Sequence, residues 1–81
     1  MNPESIRQLI EEGIADSQAH VTGGEGKFEA AVVSPAFEGM SAVKKHQTVY
    51  ATVKAQIASG DLHALTIKAY TPGEWKALSA Q

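Results

Sequence analysis

The chain contains no cysteine. No disulfide can cross-link it, so its stability has to come from packing alone. The same absence removes every thiolate, and the chain by itself cannot hold an iron–sulfur cluster through sulfur ligands. It is also compatible with a reducing compartment. Long apolar runs are missing too. Nothing approaches the roughly 18 residues that mark a membrane-spanning helix, and Asn2 through Ser5 are polar where a signal peptide would turn apolar. The expectation is a cytoplasmic protein with no membrane partner. Basic charge is equally scarce: the formal net charge is −2 and the pI is about 5.8. A dedicated nucleic-acid binder carries a basic footprint that this chain lacks as a whole.

Catalytic patterns are absent as well. Glu11 and Glu12, with Asp16 nearby, look like a carboxylate group, but neighbouring helical positions point in different directions and do not converge. Ser34 and Ser41 have no base-and-orienter pattern around them. No HxxxH or CxxC spacing marks a closed metal site. The chain reads as a non-enzyme.

What remains is 81 residues with 43% hydrophobic content, enough for a single domain over residues 1–81 with a small core. Asn2 and Pro3 open a helix predicted over Pro3 to Ala15, with Ile6, Leu9, Ile10 and Ile14 on one face. Ala19 to Thr22 reads as a strand, Gly23-Gly24-Glu25-Gly26 as a turn, and Lys27 to Ser34 as the returning strand with Phe28, Ala30 and Val32 toward the core. The glycine turn matches a GxxG pattern literally. It joins two strands rather than two helices, however, and Glu25 would repel phosphate, so a hairpin is the plainer reading.

Ser34-Pro35 ends the strand, and Ser41 is the predicted N-cap of the longest helix. On that helix Val43, His46, Tyr50, Val53 and Ile57 recur at steps of three and four, which predicts a core stripe. Gly60 stops it. A third strand is predicted over Leu62 to Tyr70, with His63, Leu65, Ile67 and Ala69 on the core side. Thr71-Pro72-Gly73-Glu74 then forms a capping box that opens a final helix. The fold class is α+β, in the order α-β-β-α-β-α, with helices packed on one face of a three-stranded sheet.

Three residue groups are candidates for function. Lys44-Lys45-His46 is the only local basic cluster, and it reads either as a solvated helix start or as a weak phosphate contact. His63 opens the third strand, where an imidazole nitrogen is free to reach outward. His20 lies in the first strand, near the glycine turn. Residue chemistry alone leaves a surface role and a ligand role open at both histidines.

Phe37-Glu38-Gly39 with Val43-Lys44-Lys45-His46-Gln47, then His63-Ala64-Leu65, Thr71-Pro72 and Glu74-Trp75, occur in an order that resembles the BolA family, most closely its IbaG branch. The similarity covers nearly the whole chain. It implies a compact domain similar to class II KH domains. It also implies a monothiol glutaredoxin as partner, with a two-iron two-sulfur cluster held by thiolates from the glutaredoxin and from glutathione. The position of His63 matches the family's ligand histidine. A second ligand, His or Cys, often comes from the loop between the first two strands. Here that loop holds neither, and His20 is the nearest substitute. Some family members regulate transcription, which makes nucleic-acid binding through Lys44, Lys45 and His46 the alternative reading. In isolation the chain is expected to carry no cofactor.

Overall fold

The computed structural model describes residues 1–80. Helix α1 spans Pro3–Gly13. The Asn2 side chain accepts from the Ser5 N–H at 2.9 Å and Ser5 Oγ accepts from the Asn2 N–H, a reciprocal cap on the free end of the helix. Ile6, Ile10 and Ile14 are buried as the periodicity predicts, with Leu9 packed beside them. The helix ends two residues before the predicted Ala15, because Ile14 has already turned extended.

Strand β1 (Gln18–Gly24) pairs antiparallel with β2 (Lys27–Val33), and β3 (Ala64–Tyr70) pairs parallel with the other side of β2. The sheet order is β1-β2-β3. The turn is tighter than predicted. Gly24 still pairs with Lys27, leaving Glu25 and Gly26 as a two-residue loop with φ of 56° and 81°. Both angles are positive, the geometry that matches the twist of paired strands. Ala19, Val21, Phe28, Ala30, Val32, Leu65, Ile67 and Ala69 share the face covered by α1 and the second helix.

Ser34 closes β2. It is fully buried, yet its hydroxyl donates to the Ala15 carbonyl at 2.7 Å and accepts from the Ala36 N–H at 3.0 Å. Its own N–H donates to the Tyr70 carbonyl. A buried hydroxyl with every bond made costs little, and this one ties α1, β2 and β3 together at one corner. The 3-10 turn Pro35–Phe37 that follows places Phe37 in the core with no exposure.

The long helix departs from the sequence expectation. It starts at the predicted Ser41 cap but breaks at Val53 into α2 (Ala42–Thr52) and α3 (Lys54–Ser59). Val49 and Val53 are buried as core residues, whereas Val43, His46 and Tyr50 of the predicted stripe are exposed. Two threonines explain the rotation. Thr48 and Thr52 return their hydroxyls to helix carbonyls of Lys44 and Val49, which frees their methyl groups to pack. Thr52 Cγ2 lies so close to Gly13 that a Cβ there would overlap it at 2.8 Å. The close approach of α1 and α2 therefore depends on a glycine and a threonine, neither of which scores as apolar.

Helix α4 (Pro72–Ser79) begins with the predicted capping box. Glu74 accepts from the Thr71 N–H at 2.8 Å and from Lys45 Nζ at 2.9 Å, joining α4 to α2. Trp75 stacks on His20, with ring centroids 5.2 Å apart and planes 8° from parallel. His20 shares its row with Ala31 and Lys68, the side of the sheet away from α1 and α2. The last helix thus reaches the second face through one aromatic side chain, with Tyr70 tilted against it.

Two measurements check this account. Phe37→Ala should cost about 3–5 kcal/mol, a large share of a small domain's stability, and would show as a lowered urea midpoint. Glu74 is drawn down from 4.5 to about 2 by the Thr71 N–H and then by Lys45. Because the folded value lies below the unfolded one, its contribution is complete above about pH 4.5 and fades as pH falls toward 2. Glu74→Gln should be less stable than wild type at pH 6, with the difference narrowing steadily in acid. Parallel stability curves would exclude that role.

Candidate metal-ligand site

His63 lies one residue before β3, at the corner of the sheet where the β1–β2 hairpin turns. The Gly26 carbonyl accepts from both the His63 N–H at 2.9 Å and the Ala64 N–H at 3.0 Å. Two donors on one acceptor break the strand alternation at this point. Leu62 consequently turns into the core with no exposure, rather than lying on the outer side as the alternation predicts. The imidazole itself is exposed, and the hydrogen bond that His63 makes among the described residues is that of its backbone N–H. The Cδ2 edge of its ring points at Gly26, where any Cβ would collide with it. Gly26 therefore holds His63 twice, through its carbonyl and through the space above its Cα.

The structure does not bring the second predicted ligand to this corner. His20 sits on the row His20–Ala31–Lys68, four residues along the strands from the Gly24–Lys27–Ala64 row and across both strand spacings from β3. Strand geometry puts the two histidines roughly 19 Å apart. His20 is also occupied, stacked on Trp75. The hairpin tip beside His63 offers only the Glu25 carboxylate. No group of three or more His, Cys, Asp or Glu converges among the described residues. The described residues at the corner do not form a closed metal cage.

The basic cluster is divided. Lys45 is half-buried and committed to Glu74. Lys44 and His46 are exposed. His46 lines a groove of about 410 Å³ together with Ala42, Lys45, Ile67, Ala69 and Tyr70. The sequence alone missed Gly26 as the residue that positions His63, and missed Trp75 as the partner of His20. The positive-φ demand of a two-residue hairpin was a readable signal for the first; nothing local signals the second. Among the described residues, no helix is long and apolar enough to cross a membrane.

Comparison with known proteins is consistent across sequence and structure. The family model described as BolA-like protein matches residues 8–74. The acid stress protein IbaG of Escherichia coli K12 is 40% identical over 75 residues, covering 93% of this chain and 89% of that protein. A bolA protein homologue from Coxiella burnetii superimposes with a TM-score of 0.85 at 38% identity, covering 94% of this chain and 97% of that one. The BolA domain of SufE1 from Arabidopsis thaliana gives 0.71 at 33% identity, covering 89% and 93%.

The corner makes a separable prediction. Gly26→Ala should lower stability by at least about 1–2 kcal/mol, the cost of a Cβ at positive φ, and should move the His63 ring resonances. Gly24→Ala meets nothing within 4 Å and should leave those resonances in place. His20→Ala should shift the Trp75 fluorescence, while His63→Ala leaves it unchanged.

Proposed function

The chain belongs to the BolA-like protein family, and on that premise we propose that it is a non-catalytic adaptor. It binds a monothiol glutaredoxin and supplies His63 as one ligand to a two-iron two-sulfur cluster that the pair shares. The cluster is cargo, in the service of iron–sulfur trafficking or iron homeostasis. The observation that carries this reading is the isolated, outward imidazole at the sheet corner, held by Gly26 and engaged by no other side chain. A histidine kept in place without a partner of its own is poised for an external one.

The donor chemistry agrees. With no cysteine, the chain has no thiolate to give, so the sulfur ligands come from the glutaredoxin and glutathione. One imidazole in place of a thiolate removes negative charge from the cluster and raises its potential. The chain's own work is to orient His63 and to present a surface for the partner. His20 takes no part in this reading, because its distance from His63 and its stacking on Trp75 keep it away. The alternative, nucleic-acid binding at the start of α2, has only Lys44 and His46 to draw on once Lys45 is committed to Glu74.

The test is to titrate the protein into a cluster-loaded monothiol glutaredoxin with glutathione, following visible circular dichroism and complex mass. Wild type should form a mixed complex with a new spectrum, and His63→Ala should lose or alter it while keeping the far-ultraviolet spectrum of the fold. His20→Ala should retain it. The isolated chain, put through cluster reconstitution, should stay colourless. A stable cluster on the chain alone, or an unchanged complex with His63→Ala, would overturn the proposal.

A further inference from the structure

The last helix meets the rest of the chain through one contact that is constant near neutral pH and one that contains an imidazole. No residue of α4 is buried. Its side chains reach the body at Lys45, through Glu74, and on the outer face of the sheet, through Trp75. The Thr71 N–H, and then Lys45, hold Glu74 down to about 2, so the contact with Lys45 keeps its charges from neutral to mildly acid pH. At the other contact His20 and Trp75 are stacked, with centroids 5.2 Å apart and planes 8° from parallel. Tyr70 tilts against the same indole at 5.4 Å.

Histidine is the side chain whose charge changes between about pH 5 and 8. His20 is exposed, so a charge there is desolvated little. Its surroundings decide what that charge does. On β1, Gln18 and Thr22 flank it on the same face, and Asp16 lies in the turn before the strand. On β2, Ala31 lies opposite, with Glu29 and Val33 on the diagonals. On β3, Lys68 completes the row two strands away. On α4, Lys76 follows Trp75, and Glu74 before it is turned to Lys45. The α1 carboxylates lie over the other face. Glu29 is a competitor for the charge, at the roughly 7 Å of a diagonal pair, but it is paired with Lys68 at 3.0 Å. The indole face is the group already in contact.

We propose that His20 and Trp75 form a pH-sensitive latch, in which proton uptake by His20 tightens the hold of α4 on the outer face of the sheet. A cation within about 6 Å of an indole centroid is attracted by the negative face of the ring. A neutral imidazole lacks that attraction. The charged form finds the indole in the folded chain and has no such partner in the unfolded one. The extra hold is therefore present in acid and fades as pH rises toward about 8. The latch governs access to the end of the outer face that carries Val33 and Tyr70. This inference does not depend on cluster binding at His63.

The experiment uses the full chain and a double-mutant cycle of His20→Gln and Trp75→Leu, with unfolding constants measured in urea at about pH 5.5 and about pH 8. The coupling between the two positions should be stronger at the lower pH by a factor of roughly two to five, the worth of an exposed cation–π contact. The chain has one tryptophan, so its fluorescence reports this site alone. The bimolecular rate constant for acrylamide quenching should be lower in acid for wild type and equal at the two pH values for His20→Gln. Glu29→Gln, Asp16→Asn and His46→Gln should each keep the wild-type difference. If Trp75→Leu does not fold, the quenching comparison of wild type with His20→Gln carries the test.

Three results overturn the proposal. Coupling or wild-type quenching that is the same at both pH values makes the stack a structural contact only. Coupling that weakens in acid makes the proton a release signal. Loss of the pH dependence in Glu29→Gln or Asp16→Asn makes the charged imidazole the partner of a carboxylate rather than of the indole.

Discussion

The register of β2 is the constraint on which the rest of the molecule depends. Among the described residues it is the only strand paired on both sides, antiparallel to β1 and parallel to β3. Its inner residues Phe28, Ala30 and Val32 form the floor against which α1 and α2 pack. A one-residue slip on either side would turn that side's apolar residues to the wrong face. The ends of β2 carry the same burden. At one, the Gly26 carbonyl anchors the entry to β3; at the other, buried Ser34 ties the exit of α1 to the end of β3.

Both histidines of interest take their positions from this strand. His63 is fixed at the hairpin corner because Gly26 binds its N–H and leaves room for its ring. His20 faces the opposite side of the sheet from α1 and α2, further along the strands, where α4 delivers Trp75 onto it. Their separation is a consequence of strand geometry, in which each residue adds about 3.3 Å along the sheet and each strand about 4.8 Å across it. In the chain, His20 and the hairpin loop are close neighbours. In the sheet, the loop belongs to His63.

The rotation of α2 shapes the surface. Packing through Val49, Val53 and the threonine methyls draws α2 onto Gly13 of α1. This leaves Val43, His46 and Tyr50 on the flank beside β3. The core and the exposed flank are therefore alternative uses of the same helix, and close contact with a glycine decides between them. Lys45 is drawn inward by the same rotation, where Glu74 meets it and links the last helix to the rest.

Much of this was legible in the residues. Asn2-Pro3, Ser41 and Thr71-Pro72-Gly73-Glu74 mark helix starts through bonds that close within one turn, so the chain alone determined them. The alternation of Phe28, Ala30 and Val32 determined the inner face of the central strand, and the spacing of Ile6, Ile10 and Ile14 that of α1. The order of elements followed from these. Tertiary structure decided the rest: which face of α2 is buried, which histidine shares a corner with the hairpin, and which lysine is free. Each depends on a contact between residues far apart in the chain, such as Gly13 with Thr52, Gly26 with His63 and Lys45 with Glu74. Local periodicity records hydropathy along one element and holds no information about the partner that the element will meet.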